Sequence, residues 1–211
     1  MIIFLVKFIP MKILELLSNP RPASLCETIA LRAREGLESA GNEVLFHDLY
    51  EEGFDPVLDS AELARGFSLD PLVQTHCRQL SEVGGLIVLH PLWWGGPPAM
   101  LKGWIDRVLR QGIGYDLEGG EFSDKSWTPL LLGKKALVLV TSDEDSTGTL
   151  SRAEAAWKED ILGKCGMDCD CRILGGLRRR SASEKAAWME DLDSALAASF
   201  PAGARLSAKR A

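Results

Sequence analysis

Two continuous apolar runs constrain the fold of this chain more than any other feature. Residues 86–89 (LIVL) and 135–141 (KALVLVT) have the length of strands and show no regular alternation of polar and apolar side chains. Such runs are typical of parallel strands that helices cover on both faces of a sheet. Residues 12–18 (KILELLS), 43–48 (EVLFHD) and a weaker run at 169–174 predict three further strands.

Helical patterns separate these strands. Ser24 is placed to cap a helix with apolar residues at every fourth position, and Asp70 caps a second helix that runs to Glu82. The other predicted helices follow the double proline at 97–98, span 150–164, and begin at the Ser-x-x-Glu capping box at 181–184. Five strands that alternate with helices predict an α/β fold, a three-layer, doubly wound sandwich around a five-stranded parallel sheet.

The ends of the chain differ from its middle. We expect residues 12–200 to form one domain, residues 1–11 to be an N-terminal extension, and residues 201–211 to be a disordered tail. The apolar segment 1–10 lacks the basic start and the small-residue cleavage site of a secretory signal. The alternative is a membrane-associating or export segment. Residues 111–133 are rich in Gly and predict a loop.

Composition limits the partners. The chain carries 24 Lys+Arg against 30 Asp+Glu, a formal net charge of -6. An acidic balance argues against nucleic acid and anionic membrane as partners, since both need a positive surface. No apolar run reaches about 18 residues, so we expect no stable membrane insertion. A small molecule is the expected partner.

The five cysteines predict reduced thiols and therefore a cytoplasmic protein, because the count is odd and the chain is too long to need disulfides. Cys165, Cys169 and Cys171 are spaced closely enough for a metal site. Zinc sites usually combine two separated cysteine pairs, and no second pair follows here. The spacing favours small core side chains over a metal.

Three loops are expected to share one crevice, because ligands of doubly wound sheets bind at the carboxyl ends of the strands. These loops are residues 18–26, 90–97 and 141–148. The first combines Arg21, the Ser24 hydroxyl and a helix N-terminus, which together suit an anion. The alternative is a capped helix after a proline turn. No G-x-G-x-x-G or Walker motif is present.

The second loop contains the sequence WWGG at 93–96. Two indoles and two positions without side chains suit a planar aromatic ligand that the backbone approaches closely. A flavin would gain hydrogen bonds to its pyrimidine edge from this backbone. Core packing is the commoner role of Trp, and we expect one of Trp93 and Trp94 to point into the core.

Residues 90–115, HPLWWGGPPAMLKGWIDRVLRQGIGY, resemble the signature of the flavodoxin-like NAD(P)H:quinone oxidoreductases. This family includes DT-diaphorase, the modulator of drug activity and the ancillary flavoprotein of potassium efflux systems. The first loop is similar to the family's phosphate loop, and residues 48–56 to its motif after the second strand. The match covers most of residues 12–141 and weakens beyond them.

The resemblance implies a flavodoxin-like fold, a bound FMN (or FAD), and NAD(P)H as co-substrate. The residues implied in flavin binding are Asn19, Arg21, Ser24, Leu25 and Cys26 in the first loop, Pro91, Leu92, Trp93, Trp94 and Gly95 in the second, and Thr141, Ser142 and Asp143 in the third. Tyr115 matches a catalytic-site tyrosine that, in dimeric members, reaches the substrate pocket of the partner subunit, which implies a homodimer. The alternative for Tyr115 is a half-buried loop residue.

The third loop departs from the family. Members often carry TTGG there, followed by a Tyr and a His that relay charge from the reduced flavin. This chain reads TSDED at 141–145 and has no His after it, so the relay is absent. Three acidic side chains disfavour an anionic ligand nearby, unless they only form a solvated approach to the next helix. His47, His76 and His90 are predicted to be structural.

The sequence thus predicts a flavin-dependent NAD(P)H oxidoreductase that reduces a quinone-like acceptor. The alternatives are a flavin-binding regulatory subunit or electron carrier with little turnover of its own, and a family member that has lost the flavin. The sequence does not choose between NADH and NADPH or identify the physiological acceptor.

Overall fold

The computed structural model describes residues 10–118 and 126–201. Its central sheet is five-stranded and parallel, in the order β2-β1-β3-β6-β7. The strands are β1 (Lys12–Leu17), β2 (Glu43–Asp48), β3 (Gly85–Pro91), β4 (Tyr115–Glu118), β5 (Ser126–Pro129), β6 (Lys135–Thr141) and β7 (Asp168–Leu174). β4 and β5 form a separate antiparallel pair.

The helices are α1 (Leu25–Ser39), α2 (Ser60–Arg65), α3 (Pro71–Glu82), α4 (Ala99–Val108), α5 (Thr147–Ala155) and α6 (Ala182–Ser199). A π-helical segment, Ala156–Ile161, continues α5. The predicted caps are confirmed. Ser24 and Asp70 accept backbone hydrogen bonds at the starts of α1 and α3, and Ser181 with Glu184 forms a capping box on α6.

Helices cover both faces of the sheet. One core cluster joins Ile13 and Leu17 of β1 to α1 and α6, and the other joins Leu14 and Leu16 to α3, α4 and the π-helical segment. The side chains of a strand point alternately to opposite faces, so β1 supplies both cores. The predicted three-layer α/β sandwich is confirmed.

Four segments differ from the sequence-based expectations. The segment 111–133 is not only loop, because β4 and β5 lie within it. The acidic stretch after β2 contains α2, and α5 begins at Thr147 rather than at residue 150. Met11 already hydrogen-bonds to Asn42 and Glu43 at the edge of the sheet. The rest of the expected N-terminal extension, residues 1–9, and the tail beyond residue 201 lie outside the described residues.

The part of the signature sequence that lies on α4 contacts and holds the loop that follows β2. A Cβ atom on Gly103 would lie 2.2 Å from the carbonyl oxygen of Pro56, so only Gly allows this approach. Arg107 is buried and donates to the Asp55 carbonyl and to the Glu62 carboxylate. The motif therefore has a structural role here, since it packs α4 against the segment between β2 and α3.

The cysteines near β7 are core residues, as expected. Cys165 and Cys171 are buried, and Cys169 packs against the same cluster. Burial raises the pKa of Cys165 to about 11 and that of Cys169 to about 12.

Among the described residues, no helix is long and apolar enough to cross a bilayer.

Candidate functional site

The three loops meet in one cleft of about 640 Å³ at the carboxyl ends of β1, β3 and β6. Adjacent strands bring them together, because Leu17 pairs with Leu89 and Pro91 pairs with Thr141. The cleft is lined by Asn19, Pro20, Arg21, Ala23, Ser24, Leu25, Cys26, Pro91, Leu92, Trp93, Thr141, Ser142, Asp143, Glu144 and Leu177. The sequence-based expectation that these loops share a crevice is confirmed.

One end of the cleft suits an anion. Arg21 is exposed there, and it lies just before the N-terminus of the 15-residue helix α1. Ser24 Oγ accepts a hydrogen bond from Glu27 N, so its own proton remains free to donate. The amide of Ala23, at a φ of 52°, donates to the Glu27 carboxylate. Guanidinium, hydroxyl and helix N-terminus together form a site typical of phosphate binding.

Cys26 and Thr141 link the first and third loops. Their side chains share a hydrogen bond of 3.0 Å between Sγ and Oγ1, and both residues are buried. Burial raises the pKa of the Cys26 thiol, and the hydrogen bond with Thr141 opposes this effect. The pair fixes the position of the cleft floor and provides no reactive thiolate.

The second loop is a tight two-residue turn. Trp93 and Gly96 exchange backbone hydrogen bonds, and the two central residues, Trp94 and Gly95, have φ values of 53° and 78°. Positive φ at both central positions defines a type I′ turn. For Trp94 this conformation costs about 1–2 kcal/mol. Within the described residues, the amides of Trp94 and Gly95 make no hydrogen bond, so both can donate to a ligand.

The expectation that one tryptophan enters the core is wrong. Trp93 is 43% exposed and lines the cleft, and Trp94 is fully exposed. The tight turn explains this, because it lifts both side chains above the sheet edge. Trp94 and Gly95 line an adjoining cavity rather than the cleft itself.

The acidic third loop is paired with arginines. Arg178 Nε donates to Asp143 at 2.8 Å, and Arg179 pairs with Asp145. Both arginines lie just after β7, next to Leu177, which also lines the cleft. Asp143 and Asp145 therefore each have a compensating cation, and Glu144 is the one residue of this acidic loop without an ion pair among the described residues.

Sequence reasoning misses these residues after β7. The strand before them has a weak sequence pattern, so the sequence alone does not place the following loop at the cleft. The sequence does contain a signal for this loop. Leu177 and three arginines follow shortly after the carboxyl end of a strand in the same parallel sheet, where ligands bind.

Tyr115 lies apart from the cleft of its own chain. It begins β4 and stacks on Trp127 of β5, with the ring centroids 3.8 Å apart. The Lys164 ammonium lies 4.9 Å from the centroid of the Trp127 ring. The other predicted site residues line the cleft or the cavity beside it.

His90 is structural, as predicted. Its Nδ1 donates to the Pro91 carbonyl, and its Nε2 accepts from Trp157 Nε1 at 3.1 Å. Burial lowers its pKa to about 4, with the bond to Pro91 opposing. Trp157 lies in the π-helical segment, which thus anchors the start of the second loop.

His47, Glu52 and His76 form the only group of three possible metal ligands among the described residues. His47 Nδ1 lies 2.6 Å and His76 Nε2 lies 3.4 Å from the Glu52 carboxylate. Trp104 Nε1 donates to His76 Nδ1 at 3.0 Å, so the proton of neutral His76 is on Nε2. Nε2 then has no lone pair for a metal, and the group braces β2 against α3 instead. Burial, with His47 adding to it, lowers the pKa of His76 to about 3.

Doubly wound sheets bind their ligands at the carboxyl ends of the strands, which is the edge where the phosphate-type loop, the aromatic loop and the free turn amides lie. The sequence model of the flavodoxin-like fold matches residues 11–197. The chain belongs to this flavodoxin-like family.

Among its curated relatives is a ribosyldihydronicotinamide dehydrogenase-like protein of Penicillium crustosum. It is 32% identical over 175 residues, covering 72% of this chain and 65% of that protein. An uncharacterised NAD(P)H oxidoreductase of Haemophilus influenzae is 39% identical over 101 residues, covering 46% of this chain and 50% of that protein. The chain thus spans about half to two thirds of the length of these relatives.

A solved structure gives the same architecture. The NAD(P)H:quinone oxidoreductase from Methanothermobacter marburgensis superposes with a TM-score of 0.76 at 26% identity, covering 89% of this chain and 96% of that one. These names bear out the resemblance on residues 90–115.

Proposed function

We propose that the protein is a flavin-dependent NAD(P)H oxidoreductase that reduces a quinone-like acceptor. The observation that carries the proposal is the cleft in which a cationic, phosphate-type end meets Trp93 of the aromatic loop, whose two free amides border the adjoining cavity. The names of the relatives from Penicillium crustosum and Haemophilus influenzae and of the Methanothermobacter marburgensis structure support it.

The donor set of the cleft fits a flavin mononucleotide. Arg21, the Ser24 hydroxyl and the N-terminus of α1 would hold the phosphate. Leu92, Trp93 and the amides beyond them would hold the ring. Arg21 is the one cation among the described lining residues, which suits one phosphate and favours FMN over FAD.

The bound flavin would supply hydride acceptance from NAD(P)H and transfer of two electrons to the acceptor. The side chains of Pro91, Leu92 and Trp93 line the cleft and would cover part of the bound ring. The amides of Trp94 and Gly95 are donors that can stabilise negative charge on the ring edge. None of these tasks needs a dedicated acid or base, in keeping with the absence of a His after β6.

We further propose a homodimer in which Tyr115 of the partner subunit completes the substrate pocket. The position of Tyr115 outside the cleft of its own chain supports this arrangement, as does its rigid stacking on Trp127. The free thiols of Cys26, Cys77, Cys165, Cys169 and Cys171 support a reducing compartment, and we propose the cytoplasm.

The first test is flavin retention. The purified protein is expected to carry FMN, identified by mass after release, and Arg21→Gln is expected to weaken FMN binding about tenfold through loss of the phosphate contact. The matched control is Arg32→Gln, which removes an exposed arginine of α1 that pairs with Asp193 and does not line the cleft. Equal affinity in Arg21→Gln would contradict the placement of the phosphate.

The second test is turnover. NADH or NADPH oxidation with menadione is expected to be fast compared with the rate without acceptor. A protein that binds FMN but shows almost no oxidation would be a carrier or regulatory subunit instead.

A further inference from the structure

A second cavity of about 370 Å³ adjoins the proposed flavin cleft. Leu92 and Glu144 line both spaces, so the cavity opens beside the aromatic end of the cleft. Its other lining residues are Trp94, Gly95, Thr149 and Arg152. The volume lies within the range of about 300–1000 Å³ that small-molecule sites occupy. The proposed phosphate contacts do not use this cavity, and of the proposed ring contacts only Leu92 and the amides of Trp94 and Gly95 border it.

Trp94 provides the aromatic wall of this cavity. Its indole is fully exposed, although the left-handed backbone conformation that presents it is unfavourable for a bulky residue. A strained residue that gains no burial is better explained by a ligand than by packing. A flat exposed indole beside a small-molecule cavity suits an aromatic ring.

Arg152 provides an unpaired cation. Its guanidinium lies against Gly148 and donates to the Thr149 hydroxyl at 3.2 Å. Within residues 10–118 and 126–201 it makes no ion pair, whereas the neighbouring Arg178 and Arg179 are both paired with aspartates. The charge of Arg152 is therefore available to a ligand.

The carboxylate of Glu144, which lines the same cavity, is already hydrogen-bonded to its own loop. Glu144 Oε1 accepts hydrogen bonds from the amides of Asp145 and Ser146, at 3.0 and 2.8 Å. These bonds hold Glu144 on the backbone of its own loop. Glu144 is thus not paired with Arg152.

We infer that this cavity selects electron acceptors whose aromatic ring carries an anionic group, such as a carboxylate or sulfonate. Trp94 packs against the ring, and Arg152 with the Thr149 hydroxyl binds the anion. The inference rests on the proposed function and adds the substrate class. Reduction of such a quinone takes a hydride from NAD(P)H and one proton from water and yields the hydroquinone and NAD(P)⁺. The anionic group is unchanged and serves only recognition.

The test compares two acceptors with the same ring, 1,4-naphthoquinone and its 2-sulfonate, on the flavin-loaded protein. Arg152→Gln is expected to raise the KM for the sulfonate about tenfold and to change that for the neutral quinone less than about twofold. High salt is expected to reduce the preference of the unsubstituted protein, because it screens the exposed pair. The matched control is Lys158→Gln, which removes one positive charge from the continuation of the same helix.

Two results would overturn the inference. One is that Arg152→Gln leaves both KM values unchanged. The other is that it raises both KM values by the same factor, which would make Arg152 a general structural residue. Direct titration calorimetry with the sulfonate separates this inference from the proposed function. Binding that depends on Arg152 without any NAD(P)H oxidation would refute the enzyme and keep the anion site, and turnover without Arg152-dependent binding would do the reverse.

Discussion

Glu15 should make the stability of this protein fall as the pH rises. It lies in the centre of β1, is fully buried, and neither carboxylate oxygen has a hydrogen-bond partner among the described residues. Burial raises its pKa from 4.5 to about 8, opposed by the charge of Arg34. The folded chain therefore keeps a proton that the unfolded chain releases between these two pH values.

The size of this pH effect on stability follows from the difference between the pKa of Glu15 in the folded and in the unfolded chain. A rise from 4.5 to about 8 means that ionisation opposes folding by about 5 kcal/mol above pH 8 and by about 3 kcal/mol at pH 7. The effect vanishes below pH 4.5, where both states are protonated. The Gln side chain of Glu15→Gln cannot ionise. As the pH rises from 5 to 7, the free energy of unfolding of this variant is therefore expected to increase by about 2–3 kcal/mol relative to that of the unsubstituted protein.

Urea denaturation monitored by Trp fluorescence at pH 5, 6, 7 and 8 measures this difference. Glu35→Gln is the matched control, because it removes an exposed carboxylate from α1. A stability difference for Glu15→Gln that does not change with pH would refute the reasoning, and so would an equal change in the control.

Three further predictions concern structural residues. Gly103→Ala is expected to lower the free energy of unfolding by about 3 kcal/mol, because its Cβ would overlap the Pro56 carbonyl; full stability in urea would contradict the close approach. Trp157→Phe is expected to cost about 2 kcal/mol by leaving His90 Nε2 without its donor, and an unchanged urea midpoint would show that this bond contributes nothing. Added Zn²⁺ is expected to leave the Tm unchanged, because Trp104 holds the proton on His76 Nε2; a Tm that rises with Zn²⁺ and loses that rise in His47→Gln would show a metal site.

Much of the fold could be predicted because the decisive signals are local. The runs at 86–89 and 135–141 are apolar throughout, and the caps at Ser24 and Asp70 are short-range features. The shared crevice followed from one rule about parallel sheets, with no need for strand order.

The missed features depend on distant partners. The β4–β5 pair brackets residues 119–125, so no tight-turn signal marked it, and α2 is a short helix whose Glu62 is fixed by Arg107 far along the chain. The arginine partners of the acidic loop come from residues 178–179, across another helix and strand. The orientation of Trp93 and Trp94 followed from a type I′ turn that the sequence WWGG does not specify on its own.

We propose that the cleft between the three loops holds a flavin that NAD(P)H reduces and a quinone reoxidises. The most direct measurement is the visible absorbance spectrum of the purified protein under anaerobic conditions, before and after addition of NADH or NADPH and then of menadione. The flavin band is expected to be present, to bleach with the reduced nicotinamide, and to return with menadione. A colourless protein that neither FMN nor FAD reconstitutes would contradict the claim.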